Sequence, residues 1–288
     1  MTVDSQSETP VPQKHIPFIG RRATWRQGVR IGKRFALLVL AGWLLPSLTL
    51  FYVVCGLIDV LRNSDRSTET LSRYFFGNGV LTWLLSPLNL LLDLLTLPYF
   101  NKGVYSLTDL PAAWQDELRE VMQLSDDGQF LSLMHDQMAD RERVMFFFKW
   151  YGINNAKVDL VPGFHQPFRF VRTIGVSAFN GRQSTSQHFG PLRGTLRVLY
   201  NVGSPPTGDS FIVVGKHINH WREHRLFIFD DTLMHQSVND SETVRWCMFI
   251  DILRPTLCPS LLRGILNCIR FISLRWNHVF YKHWHVFR

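Results

Sequence analysis

The stretch LFIFDDTLMH, residues 226–235, places a four-residue apolar run before two aspartates and ends on His235. It belongs to a series of short runs, rich in β-branched and aromatic residues and separated by turn-forming clusters, between about residues 166 and 253. The runs are Phe168–Val176, Leu196–Val202, Phe211–Val214, Leu226–Phe229 and Val244–Leu253. Several short strands at this spacing are typical of a β-sandwich or jelly roll. We therefore predict a mainly β domain over residues 161–256.

The composition excludes a disordered chain and disfavours an ordinary soluble enzyme. Of the 288 residues, 46% are apolar, 13% are aromatic and 19% are charged, and the formal net charge is +8. Disordered tails are poor in aromatic residues and rich in charge. The four cysteines have no CxxC spacing, so we expect no disulfide framework and a reducing compartment. The basic residues form no recognition motif for nucleic acid, and we expect no nucleic-acid partner.

The N-terminal third has the pattern of a membrane region. Residues 1–34 are polar and end in a basic run, and Phe35–Ile58 holds 24 residues without a charge, enough to cross a hydrocarbon layer. We predict a transmembrane helix over residues 35–61, within a membrane region of residues 35–100. A second apolar segment, residues 75–97, is predicted to complete a transmembrane hairpin, and the alternative is a helix that lies in the interface. The cations of the N-terminal segment predict that it faces the cytoplasm.

Two further segments flank the predicted β domain. Residues 101–160 have the pattern of a charged, mostly helical connector. Residues 257–288 interleave apolar and basic residues, and the apolar ones recur at helical spacing from Leu262 to Ile272. A basic amphipathic segment of this kind is typical of a membrane-surface element that binds anionic headgroups. The alternative is an ordinary helix that caps the domain.

Two histidines beside predicted β runs are candidate metal ligands. His188 lies just before one run, and His235, 47 residues later, lies just after another. On neighbouring strands of a small jelly roll they could converge on one metal ion, as in non-haem Fe(II) oxygenases, which usually add a carboxylate. The cluster of His217, His220 and His224 occupies a short segment between β runs, which favours a solvated turn over a zinc site.

Several pieces of this region occur together at specific spacings. They are Ser177, His188–Pro191, Leu196–Val198, Phe229–His235 and Arg245. Together they resemble the aspartyl/asparaginyl β-hydroxylase family of Fe(II)/2-oxoglutarate oxygenases. The resemblance implies a double-stranded β-helix (jelly roll) fold, and it implies Fe(II), 2-oxoglutarate and O2 as cofactor and co-substrates.

The resemblance also implies roles for individual residues. His188 and His235 would be the metal ligands and take part in catalysis. Arg245, with Ser177, would hold the distal carboxylate of 2-oxoglutarate. Arg197 would be a catalytic and co-substrate-binding residue at the same end of the site.

The position of Arg245 agrees with this role on physical grounds. Arg245 lies in the apolar run of residues 244–253, where an uncompensated guanidinium would be costly and a carboxylate would compensate it. The alternative is a structural salt bridge to Asp230, Asp231 or Asp251.

Two positions depart from the pattern of the family. Gly190 stands two residues after His188, where a carboxylate is common, and Leu199 stands two residues after Arg197, where the family has a histidine. Aspartyl β-hydroxylases resemble this chain in using two histidines without the carboxylate, so Gly190 does not by itself indicate an inactive protein.

The membrane region and the basic C-terminal segment make the chain similar to the lipid A 2-hydroxylase branch of the family. That similarity implies hydroxylation of an acyl chain of lipid A, or of another membrane lipid, at an anionic membrane surface. It also implies an inner-membrane location with the catalytic domain facing the cytoplasm, where 2-oxoglutarate and reduced iron are available. Two alternatives remain open: a peptidyl aspartyl/asparaginyl or other small-substrate hydroxylase, and a non-catalytic membrane-anchored binding protein.

Overall fold

The computed structural model describes residues 25–126, 130–132, 135, 141–155, 161–203, 208–273 and 285–287. The predicted segment of residues 1–34 therefore lies largely outside the described residues, as does much of residues 274–288. The helices are α1 (Trp25–Leu44), α2 (Pro46–Val60), α3 (Thr68–Phe76), α4 (Val80–Leu84), α5 (Ser86–Leu95), α6 (Ala112–Asp126) and α7 (Pro259–Ser273).

The strands form two sheets. They are β1 (Val104–Tyr105), β2 (Arg143–Trp150), β3 (Ile153–Asn154), β4 (Val171–Phe179), β5 (Gln183–Ser184), β6 (Thr195–Val202), β7 (Asp209–Val214), β8 (His217–His220), β9 (Leu226–Phe229), β10 (His235–Asp240), β11 (Arg245–Leu253) and β12 (His285–Phe287). The larger sheet has the order β1-β9-β6-β11-β4-β2-β12, with β3 paired to β2, and the smaller has the order β5-β10-β7-β8. The pairs are antiparallel except for β12 with β2.

The central strand β11 shows how the layers pack. Because neighbouring residues of a strand point to opposite faces, Met248 and Ile250 lie in a core beneath α6 and α7, whereas Cys247 and Phe249 face the smaller sheet. There they share a second core with Ile212 and Val214 of β7 and with the fully buried Trp221. The mainly β, jelly-roll prediction is confirmed by these facing antiparallel sheets.

The structure corrects the prediction of transmembrane helices at residues 35–61 and 75–97. Among the residues that the structure describes, no helix has both the length and the apolar character that crossing a membrane requires. The first run is divided at Leu45, because Pro46 has no N–H to donate and starts a new helix at its first position. The second run is divided among α3, α4 and α5.

Polar residues inside these apolar runs explain the correction. Asp59, Thr82 and Asn89 are at most 2% exposed, and their side chains face the β domain rather than lipid. Arg193, which follows the predicted metal ligand His188 in the sequence, connects the β domain to these helices. Its guanidinium contacts the carboxylates of Asp59 on α2 and of Asp93 on α5, the latter at 2.6 Å.

The same group of charges extends to the loop that leads to His235. Asp230 lies 3.4 Å from Arg193 Nε and 2.8 Å from Arg62 Nη2, and Arg254 lies 2.6 Å from Asp93. Three arginines and three aspartates thus form one largely buried, charge-balanced group, defined here as the arginine–aspartate cluster. The surrounding cations hold the pKa of Asp230 well below its usual range despite complete burial.

The β domain is expected to depend on this cluster for stability. Asp59→Asn removes one negative charge with little change of shape and leaves Arg193 without full compensation, so the free energy of unfolding should fall by about 3–5 kcal/mol. The matched control is Glu242→Gln, whose partner Arg182 is exposed and whose loss should have no measurable effect. Urea denaturation of both variants measures the difference. Equal stability of the two variants would contradict the role of the cluster.

Candidate active site

The backbone brings His188 and His235 together. The two residues form an isolated antiparallel bridge in which each N–H donates to the carbonyl oxygen of the other at 3.0 Å. Their imidazole rings are 4.2 Å apart, centroid to centroid. The two predicted metal ligands therefore meet at the end of β10, as adjacent side chains on one rung.

Both imidazoles are held in the form that binds a metal ion. Each Nδ1 lies 2.8 Å from a backbone carbonyl oxygen, that of Ser186 for His188 and that of Leu233 for His235. A carbonyl oxygen only accepts, so Nδ1 carries the proton and Nε2 keeps its lone pair. Burial lowers the pKa of both histidines, and the Arg197 guanidinium acts in the same direction. Two neutral imidazoles with available Nε2 atoms are suited to one metal ion.

The segment carrying His188 is held by helices α4 and α5. Thr82 Oγ1 donates to the carbonyl oxygen of Gly190 at 2.7 Å. Asn89 accepts from the backbone N–H of Arg193 at 2.9 Å and donates to the carbonyl oxygen of Pro191 at 3.1 Å. These contacts fix the backbone on the C-terminal side of His188.

The segment carrying His235 is held by the residues that follow α2. The side chain of Asn63 accepts from the backbone N–H of Met234 at 2.9 Å. At the other end of this segment, Asp230 Oδ1 accepts from the N–H and the hydroxyl of Thr232 at 2.9 and 2.6 Å. Both metal-ligand segments are therefore anchored on the helical region that the sequence pattern assigned to the membrane.

Arg245 lies on the inner face of β11 as a fully buried cation. Its Nη1 donates to Ser237 Oγ at 2.7 Å, and its guanidinium lies over the rings of Phe179 and Trp221. No carboxylate of the described residues pairs with it, and its Nε has no partner there. The salt bridge that was the alternative explanation is thus absent from the described part of the chain. An anionic ligand would compensate a buried cation of this kind, so Arg245 is a candidate anion-binding residue.

Ser177 lies two residues along the same sheet from the pair formed by Arg245 and Phe179. It pairs with Cys247, and its hydroxyl donates to the Cys247 carbonyl oxygen at 3.1 Å. Because Cys247 and Arg245 are two residues apart on β11, Ser177 lies on the face that carries Arg245.

Arg197 differs from Arg245 in having two acidic partners. Its Nε donates to Asp251 at 2.7 Å and its Nη2 to Asp231 at 3.0 Å, while its guanidinium stacks on Phe249. The predicted co-substrate residue Arg197 therefore has its charge already compensated by protein. Its predicted catalytic role remains a prediction.

Asp231 explains the glycine at position 190. A Cβ atom at Gly190 would lie 2.4 Å from Asp231 Cγ, so the Asp231 carboxylate occupies the space of a side chain there. Its Oδ1 has no partner among the described residues, and burial raises the pKa of Asp231 to about 7. The described residues contain no group of three or more His, Cys, Asp or Glu side chains arranged to hold a metal ion. The described residues thus offer a pair of histidines, and the Asp231 carboxylate lies against Gly190, two residues from His188.

A cavity of about 360 Å³ opens beside His235. Its walls include Thr70, Gln187, Val213 and Met234, so it lies between the start of α3 and the smaller sheet. Its lining also includes Asp65, Ser67, Glu69 and Gln236, so the apolar side chains of Val213 and Met234 lie among polar groups.

The fit between Gly190 and Asp231 can be tested by adding one methyl group. Gly190→Ala should displace the Asp231 carboxylate and reduce the free energy of unfolding by about 1–3 kcal/mol. The control Gly264→Ala adds the same group where nothing lies within 4 Å. In the double variant Gly190→Ala/Asp231→Ala the space is released, so the cost of the alanine should shrink. Thermal unfolding is measured for the wild type, Gly190→Ala, Asp231→Ala, the double variant and the control, and additive effects of the two single changes would contradict the proposed overlap.

The fold and the site define a jelly-roll domain with a paired-histidine centre that could hold one metal ion. The sequence model of the aspartyl/asparaginyl β-hydroxylases matches residues 112–255, half of the chain. The protein therefore belongs to the aspartyl/asparaginyl β-hydroxylase family, a family of hydroxylases.

Comparison with individual proteins gives one curated relative and several solved structures. An ornithine lipid ester-linked acyl 2-hydroxylase of Rhizobium tropici is 25% identical over 158 residues, which cover 51% of this chain and 52% of that protein. The chain thus matches about half the length of this relative.

Two solved structures illustrate the structural comparison. A 2-oxoglutarate–Fe(II) oxygenase family oxidoreductase of Burkholderia pseudomallei is 15% identical, covers 30% of this chain and 44% of that chain, and has a TM-score of 0.26. A cupin barrel protein of Salinispora arenicola is 10% identical, covers 32% and 70%, and has a TM-score of 0.24. Scores this low carry no functional weight.

Proposed function

We propose that the protein is an Fe(II)- and 2-oxoglutarate-dependent dioxygenase that hydroxylates an acyl chain of a membrane lipid. The observation that carries this proposal is Arg245. It is a buried guanidinium without a described carboxylate partner, and it donates to Ser237, which lies two residues along β10 from His235 of the neutral histidine pair. A metal ion and a dianionic co-substrate would use both features at once.

The residues present fit a bound iron. His188 and His235 would hold it through Nε2, because both Nδ1 atoms are occupied by carbonyl oxygens. Bound Fe(II) with 2-oxoglutarate supplies the chemistry that activates O2, delivering one oxygen atom to a C–H bond and the other to succinate. The unpartnered Asp231 Oδ1 provides a hydrogen-bond acceptor beside Gly190.

Arg245 would bind the distal carboxylate of 2-oxoglutarate. Its aromatic neighbours Phe179 and Trp221 keep the guanidinium plane in place and exclude water. Ser237 orients Nη1 of Arg245. Ser177 lies on the same face of the larger sheet as Arg245, paired with Cys247. Arg197 would face the co-substrate end of the site, where Asp231 and Asp251 hold its orientation.

The lipid substrate is supported by the curated relative, whose name states an acyl chain of ornithine lipid. Lipid A, the substrate implied by the sequence resemblance, is a second member of the same chemical class. We place the enzyme at the inner membrane, with this domain facing the cytoplasm, because 2-oxoglutarate and reduced iron are available there.

Substitutions of the histidines and of Arg245 should affect metal binding and co-substrate binding independently. His188→Ala and His235→Ala should each weaken Fe(II) binding strongly and abolish succinate formation. Arg245→Ala should bind Fe(II) normally but raise the KM for 2-oxoglutarate by about 10- to 100-fold, the loss expected for one charged contact. Arg182→Ala, on the exposed surface, is the matched arginine control. Isothermal titration with Fe(II) under anaerobic conditions and a succinate assay give the two readouts. Unchanged KM in Arg245→Ala would contradict the assignment of Arg245.

The substrate can be assigned by lipid mass spectrometry. Cells that produce the protein should accumulate an acyl-bearing lipid heavier by one oxygen atom, and cells that produce His235→Ala should not. Analysis of both aminolipids and lipid A in the same extracts distinguishes the two substrates. If neither lipid changes while purified enzyme forms succinate, the lipid substrate is wrong and a peptide or small molecule becomes the candidate.

A further inference from the structure

We propose that the bend between α1 and α2 inserts into one leaflet of an anionic phospholipid bilayer. The proposal concerns a surface remote from the histidine pair and does not depend on the reaction. The inserted part is the stretch from Phe35 to Val54, defined here as the helical apex.

The apex exposes an unusually large amount of apolar surface. No charged residue occurs from Phe35 to Ile58, and Trp43 is 78% exposed. The other large apolar side chains exposed here are Phe35, Leu37, Val39, Leu40, Leu44, Leu45, Leu48, Leu50, Phe51 and Val54. Contiguous apolar surface of this size marks a protein or membrane contact.

The geometry of the apex matches one leaflet. At its base, Arg34 donates to the carbonyl oxygen of Phe76 at 2.7 Å and Phe35 packs on the ring of Phe76, 5.9 Å away. The returning arm contacts the same place, because a Cβ at Gly56 would lie 3.0 Å from the ring of Phe75. Each arm between this base and Leu45 has about ten residues, or roughly 15 Å of helix, about half of a hydrocarbon layer.

The distribution of exposed residues distinguishes lipid from a protein partner. At 3.6 residues per turn, the exposed residues Phe35 and Leu44 lie on opposite sides of α1. The exposed residues Val39, Trp43 and Leu40 fill the arc between them. A groove on another protein, or a second copy of this chain, covers a single stripe of a helix. Hydrocarbon can cover all sides.

The charges near the base favour anionic headgroups. Arg30 and Lys33 are exposed and lie on α1 within two turns before the apex. Residues 25–58 contain no aspartate or glutamate, and the first acid, Asp59, is buried in the arginine–aspartate cluster. Cations at the level of the headgroups, with apolar residues below them, are the arrangement of an interfacial helix.

Vesicle co-sedimentation of the full-length protein tests the proposal without iron or substrate. Wild type should bind vesicles of phosphatidylcholine with phosphatidylglycerol, and Leu40→Glu/Leu48→Glu should reduce binding at least tenfold. The control Ile153→Glu changes an isolated exposed residue of β3 and should bind like wild type. Arg30→Glu/Lys33→Glu should weaken binding to the anionic vesicles and remove its salt dependence. Circular dichroism and an unchanged Tm show that the apex variants fold.

Quenching of tryptophan fluorescence by brominated lipids then reports how deeply Trp43 lies in the bilayer. Wild type should be quenched by bromines on the acyl chains, and Trp43→Phe should lose most of that quenching. Undiminished vesicle binding by Leu40→Glu/Leu48→Glu would overturn the proposal. So would a wild type that binds no vesicles but forms a dimer that the same variant dissociates, since the apex would then be covered by a second copy.

Discussion

The arginine–aspartate cluster constrains the rest of the structure. A buried guanidinium is tolerated only when acids and hydrogen bonds compensate its lost hydration. The acids that surround Arg193 come from α2, α5 and the loop after β9, three segments far apart in sequence. Arg193 closes the segment of His188, and Asp230 opens the segment of His235. The contacts that compensate the buried Arg193 guanidinium therefore also position both histidines. Through these contacts the helices before residue 100 support the candidate active site.

Three arginines of the β domain show how local partners decide function. Arg193 is surrounded by aspartates and serves the fold, and the cluster raises its pKa further above the usual value. Arg197 is shared between Asp231 and Asp251, which fixes its orientation without leaving a net charge for a ligand. Arg245 has a hydroxyl and two aromatic rings, and burial lowers its pKa. Only the last arrangement calls for an external carboxylate, which is why Arg245 carries the functional proposal.

Much of the β domain and the histidine pair could be predicted from the sequence, because strand runs and turn clusters are local patterns. The predicted run Leu226–Phe229 coincides with β9. Strand β10, HQSVND, escaped prediction because its polar residues pair with β7 rather than forming an apolar run. Strand β2 lies within the predicted helical connector of residues 101–160, although Phe146–Phe148 is a strand-like run. Asp231 escaped because only the fold places its carboxylate against Gly190.

The prediction of membrane helices was wrong for a physical reason, which the packing of α2 illustrates. A hydropathy average is taken over all residues of a run and does not record which side of the helix each residue faces. On α2, Leu57 and Ile58 point outward and are exposed, whereas the next residue, Asp59, is buried against Arg193 and Tyr74. An average over such a helix resembles a lipid-embedded segment although its inner side is polar and bound to protein. The boundary between exposed apolar surface and the charged scaffold of the active site is thus only one helix wide, about 10 Å.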